Sequence, residues 1–198
     1  DLTREMSDGV DFSLRHHGAV VHAQANFFYY RIQHFVYLGF TGEVEHGLRV
    51  ADYDQNDARF VGGEAQVDLE VHPNLWINLG MDAVNAELTR TKTPLPRIPP
   101  LRGRFGVDAR YKGFALNPTV IIASDQSHLY PTETRTPGYT VLNVEASYIY
   151  ARAHSAHVLS FQVLNLGDRL YRNHLSFIKD LAPEMGRAVC FSYSLKFY

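Results

Sequence analysis

Cysteine is nearly missing from this chain: Cys190 stands alone, so no internal disulfide can form. Long apolar runs are missing altogether, and no stretch approaches the roughly 18 residues of a membrane-spanning helix. Charge of one sign is missing too, because 19 basic residues face 21 acidic ones. That balance excludes a global electrostatic pull toward nucleic acid. Convincing helical periodicity is absent. So are the Gly-x-Ser-x-Gly nucleophile elbow, cysteine pairs, His-x-x-x-His spacing and calcium-loop patterns. Nothing here implies an enzyme or a cofactor. Asp1 opens the sequence without an initiator Met or signal peptide, which leads us to expect a processed chain or a fragment.

What is present is alternation. In "VVHAQANFFYY", Val21, Ala23, Ala25, Phe27 and Tyr29 are apolar, whereas His22, Gln24 and Asn26 point the other way. "EAQVDLEV" sets Ala65, Val67, Leu69 and Val71 against Glu64, Gln66, Asp68 and Glu70. "RFGVDARY" opposes Phe105, Val107, Ala109 and Tyr111 to Arg104, Gly106, Asp108 and Arg110. The same period continues through Leu142–Tyr148 and Leu159–Val163, and it governs the terminal "AVCFSYSLKFY". Period two argues for half-buried strands. It predicts nine, over 8–16, 19–38, 59–71, 75–88, 102–112, 114–126, 138–150, 156–168 and 187–198. Pro118 falls inside one of them and suggests a bulge or strand start. Short turns at 17–19, 72–74, 112–113 and 151–155 alternate with long loops at 39–58, 89–101, 127–137 and 169–186.

Two all-β folds explain such alternation. A soluble sandwich, as in an adhesin or carbohydrate-binding module, would bury Val67, Phe105 and Phe161 in a dry centre. An antiparallel up-and-down transmembrane β-barrel segment would give the apolar face to lipid and the polar face to a lumen. A mean hydropathy of −0.21 is compatible with the second, since a strand with one wet face averages to neutral. Loop asymmetry and strands reaching the ~9–11 residues that cross a bilayer favour the barrel. Slipping the strand at 102–112 by one residue would turn Arg104, Asp108 and Arg110 toward lipid, where a midplane arginine costs ~2–4 kcal/mol. Tyr111, Phe114, Tyr148, Tyr150 and Phe197 gather near the short turns and suit an interfacial girdle. Nine is odd, and a sheet with two free edges leaves backbone groups that lipid cannot satisfy. We therefore expect a piece of a larger barrel.

Five stretches in order resemble the C-terminal barrel of TonB-dependent outer-membrane receptors. "LTREMSDGVDFSLRH" is similar to the family's Leu-Lys-Pro-Glu-x-Ser-x-Gly-x-Glu strand, with Thr3-Arg4 in place of Lys-Pro. "FFYYRIQHFVYL" resembles the next strand, "LPRIPPLRGRFGV" a proline-rich loop and "TPGYTVLNVEASY" the start of the third-last strand. "FQVLNLGDRLYRNHLSFIKDLAPEMGR" carries an Asn-Leu-x-Asp-x-x-Tyr signature, with Gly167 where the family has a bulkier residue. The resemblance implies that residues 1–198 are the C-terminal portion of a plugged barrel of about 22 strands, with the N-terminal plug outside this chain. It implies the outer membrane of a Gram-negative-type bacterium and active uptake of a scarce nutrient, most plausibly a metal chelate, energised through the plug by the TonB complex. The terminal Phe191, Tyr193, Leu195 and Phe197 would be the signal read by the barrel-assembly machinery; Tyr198 lies one residue beyond the commonest ending.

Ligand chemistry would fall to the long-loop side. His46, His128 and His174 lie there beside several carboxylates and are either metal ligands or hydrated loop residues. Arg90 and Arg97, in "RTKTPLPRIPPLRGR", would attract an anionic chelate or stay solvated. Glu64, Asp68, Arg104, Asp108 and Arg110 take the lumen phase, where they would pair with each other or with the plug, or touch the ligand.

Overall fold

The computed structural model describes residues 2–198. Nine strands are formed: β1 Met6–His17, β2 Val21–Glu45, β3 Leu48–His72, β4 Leu75–Leu88, β5 Arg102–Tyr111, β6 Phe114–Ala123, β7 Tyr139–Arg152, β8 Ser155–Leu164 and β9 Ala188–Phe197. They make one sheet in chain order, each strand antiparallel to the next, with β1 and β9 at its edges. Number, order and phase agree with the alternation.

Register joins the apolar phases into continuous rows. Val67 lies opposite Leu79, Leu79 opposite Phe105, Phe105 opposite Val120 and Val120 opposite Leu142. A second row runs from Leu116 through Ala146 and Phe161 to Phe191. No second sheet covers these rows among the described residues, and Phe105 and Phe161 are each 45% exposed. The dry centre of a sandwich does not form. A bare apolar face of this extent needs a nonaqueous neighbour.

Short connections occupy one end of the sheet. The Lys112-Gly113 turn holds φ at 47° and 85°, the paired positive angles that a two-residue hairpin twisting with its strands requires. Pro118 stays in β6 with no shift of register. Its ladder toward β5 is interrupted between the Gly106–Thr119 and Ala109–Leu116 pairs, and proline lacks the donor to fill that gap.

The opposite end departs from expectation at residues 39–58. That stretch is not a loop. β2 and β3 each run 25 residues and close at His46-Gly47, where φ is 51° and 82°. A register shift between Ile32 and Phe35 admits His34 at φ 55°, and a second lies between Phe40 and Val44. Three further connections at this end, 89–101, 124–138 and 165–187, have no regular strand. The first doubles back along β4: Leu95 N–H donates to Ala86 O at 2.9 Å, and Pro94 bridges to Glu87. Leu95 thereby joins Tyr37, Ala58, Ala86 and Leu88 in a buried cluster, flanked by Phe35, Phe60, Ile98 and Tyr130. Ala58, Ala86 and Leu88 belong to the same face as Glu64 and Asp82. The loops thus fold over the polar side and leave the apolar side open.

Candidate functional site at the converging loops

The signature at the end of β8 organises the last loop. Asn165 takes a left-handed φ of 49°; its Oδ1 accepts the Arg169 N–H at 2.8 Å, and its Nδ2 donates to Arg169 O at 2.9 Å and Met185 O at 3.3 Å. Asp168 Oδ1 accepts the Arg187 N–H at 2.8 Å and so sets the start of β9. Short polar side chains tolerate this backbone and bond to it locally, which accounts for Asn and Asp at those two positions.

From that frame the loop reaches its neighbours through buried polar groups. His174 is 2% exposed; its Nδ1 lies 2.9 Å from Thr136 Oγ1 and its Nε2 lies 3.7 Å from Glu133 Oε2. Glu133 also accepts the N–H of Arg97 at 2.8 Å and that of Tyr130 at 3.3 Å. Lys179, 6% exposed, donates to Thr134 Oγ1 at 2.8 Å, to Thr136 Oγ1 at 3.3 Å and to Thr134 O. Asp180 accepts from Thr134 Oγ1 and pairs with Arg49 at 3.3 Å; Arg49 in turn donates to Thr132 O. One network therefore ties the β4–β5, β6–β7 and β8–β9 loops to the β2–β3 hairpin.

Burial alone would raise the Glu133 carboxyl. The His174 imidazole and the N–H groups of Arg97 and Tyr130 overcome it and hold the group below the ordinary glutamate value. Burial also lowers the Lys179 ammonium, against the opposing pull of Asp180 and Glu133. These charges are satisfied by short, specific contacts, as buried charges must be.

The expected ligand residues divide. His174 and Arg97 meet through Glu133, and the Arg97 guanidinium lies 3.7 Å above the Phe177 ring with its Nη1 buried and unpaired. His46 stands exposed at the hairpin tip, His128 is exposed beside Gln126, and Arg90 is exposed in a turn. These three do not join the cluster. His174 is not a hydrated loop residue, contrary to one expectation, because three loops close around it. Among the described residues, no group of three or more His, Cys, Asp or Glu is arranged to hold a metal ion. Glu133, Thr136, Lys179 and Arg49 were invisible in the sequence: the Arg49–Asp180 contact spans 131 positions and the His174–Thr136 contact 38.

The polar face below carries a cavity of about 360 Å³ whose lining includes Gln24, Asn26, Glu64, Asp82, Arg102 and Arg104. Charges on this face are mostly partnered. Arg102 pairs with Asp82 at 3.0 Å and Arg110 with Asp108 at 2.6 Å. Asp68 accepts from Asn78 at 2.8 Å, and Glu64 from Asn26 at 2.8 Å. On the other face, Phe191, Tyr193, Leu195 and Phe197 form the apolar phase of the edge strand.

Residues 1–166 match the family described as TonB dependent receptor-like, beta-barrel. Solved structures repeat the whole architecture. The copper transporter OprC is similar at a TM-score of 0.85 and 21% identity, covering 100% of this chain and 32% of its own. The ferric citrate transporter FecA in its unliganded form gives 0.75 and 18%, covering 97% and 31%. The ferric yersiniabactin uptake receptor FyuA from Yersinia pestis gives 0.70 and 17%, covering 98% and 30%. This chain thus spans about a third of the length of each. With its nine-stranded meander, bare apolar face and inward-folded loops, the chain belongs to the TonB-dependent receptor β-barrel family.

Proposed function

We propose that this chain is the C-terminal barrel segment of an outer-membrane receptor that takes up a metal chelate in a TonB-coupled cycle. The observation that carries the proposal is the division of the sheet: one apolar face is bare, and three long connections fold over the other and lock, with the β2–β3 hairpin, above a polar wall. Lipid covers the first face, and the second lines the lumen. The Arg97 guanidinium and the polar wall with Glu64, Asp68, Arg104, Asp108 and Arg110 favour a charged, hydrated ligand over an apolar one. His46, His128 and Arg90 stand at the outer surface, where they meet ligand in transit. The plug and its TonB contact lie outside these residues, and their rearrangement releases the ligand inward. The step is binding and displacement and requires no covalent chemistry. The barrel-assembly machinery reads β9 through Phe191, Tyr193, Leu195 and Phe197 during insertion.

The test is uptake by cells carrying or lacking the full-length gene, supplied with radiolabelled ferric siderophores, ferric citrate and copper. Gene-dependent accumulation of one chelate, abolished without TonB, is expected. Equal accumulation with and without the gene for every chelate would overturn the proposal.

A further inference from the structure

We propose that the apolar face carries, at its short-turn rim, a binding surface for anionic phospholipid headgroups centred on Lys112 and Arg152. The inference rests on the outer-membrane reading above. The turns "HHGAV", "HPN", "YKGF" and "ARAHS" contain no Asp or Glu. The Asp and Glu side chains nearest this end, Asp68, Glu70 and Asp108, alternate to the polar face, where Asp108 is occupied by Arg110. Neither Lys112 nor Arg152 has a carboxylate partner among the described residues.

Both cations lean on aromatic rings of the lipid side. Lys112 Nζ lies 5.1 Å from the Tyr111 ring, and Arg152 Cζ lies 5.2 Å from the Tyr150 ring. Arg152 Nε donates to Tyr150 Oη at 3.3 Å, and the Phe114 and Tyr148 rings pack at 4.3 Å in the rows that join the two pairs. Beside them, His157 Nδ1 lies 2.8 Å from Tyr193 Oη. Long cationic side chains seated on aromatic stems, with polar tips at the edge of a hydrocarbon band, present their charge at headgroup depth. The far rim of the same face differs. There Arg59 is bound to Glu87 at 2.9 Å, and Lys92 reaches the same carboxylate at 3.3 Å. At the short-turn rim no Asp or Glu shares the face with these cations, whereas at the far rim Glu87 offsets two of them; a lipid phosphate is the natural complement of the short-turn pair.

The test uses the full-length receptor that contains this chain, purified from outer membranes into nanodiscs and titrated with phosphatidylglycerol or phosphatidylethanolamine. Preferential retention of phosphatidylglycerol is expected. Each cation near an anionic lipid surface strengthens attachment by about fivefold, so K112Q/R152Q should lose phosphatidylglycerol by on the order of tenfold or more. Phosphatidylethanolamine retention should not change, and neither should phosphatidylglycerol retention by R31Q, which removes one exposed cation from β2 away from the short turns. Should the double variant lose the heat-modifiable gel mobility of a folded barrel, the single variants K112Q and R152Q, each expected to lose about fivefold, decide the matter. Equal retention of both lipids by the parent, or undiminished phosphatidylglycerol on the variants, would overturn this inference alone. A parent absent from the outer membrane would overturn it together with the transport reading.

Discussion

The two ends of this sheet are built by different physics. At the short-turn end, backbone bonds close each hairpin, and two residues at positive φ, Lys112 and Gly113, turn the chain between β5 and β6. At the long-loop end, closure depends on side chains drawn from three connections and the β2–β3 hairpin, with a small apolar cluster around Leu95 and a buried ionic network around Glu133. The first end can form hairpin by hairpin. The second exists only after all its contributors have arrived, and a change at one of them is felt by the rest.

The sharpest way to break that contrast is L95A. Truncating a buried leucine costs about 2–5 kcal/mol, and the loss should appear as faster hydrogen exchange across 89–101 and 124–138 while the short turns stay unchanged. Next comes E133A, which orphans the N–H of Arg97 and the buried His174; leaving such groups unpaired costs about 1–3 kcal/mol. Exchange should rise in three loops at once.

Acidity offers a second handle on the same residue. The Glu133 pKa in the folded protein lies below its ordinary value of 4.5, so its contribution is complete above that value and is lost as pH falls through the lower folded one. Loop protection in the parent should therefore decline on acidification below about 4.5. In E133Q this part of the decline should disappear.

A third comparison pits one turn against another. G113A and G47A each put a side chain at positive φ, a cost of about 1–2 kcal/mol. Only the former also drives its Cβ to 2.6 Å from Ile149 O, whereas Gly47 faces open space. Thermal unfolding of the full-length receptor should be depressed more by G113A. The smallest effect belongs to R49A, because its partner Asp180 is 40% exposed. A loss of about 0–1 kcal/mol, confined to the attachment of the β2–β3 hairpin, should be visible by exchange and absent from global unfolding.

This division also explains what could be read in advance. "RFGVDARY" announced β5 because hydrocarbon and water on opposite faces impose a period that any eight residues display. Residues 39–58 hid their strands because both faces of that hairpin tip meet water: Thr41 through Leu48 are all exposed, and no apolar phase survives. Asn165 and Asp168 were recognisable as a signature, since their bonds are local. The pairing of His174 with Glu133 was not, because partners 41 positions apart carry no mutual mark in one sequence. Arg97 was legible as a cation; its seat on Phe177, 80 positions later, was not.

The 25-residue strands of the β2–β3 hairpin extend roughly 80 Å at about 3.3 Å per residue, far more than the ~9–11 residues a bilayer requires. The surplus length is spent at the long-loop end, where it carries Arg49 to Asp180 and Thr132 and leaves His46 at an exposed tip.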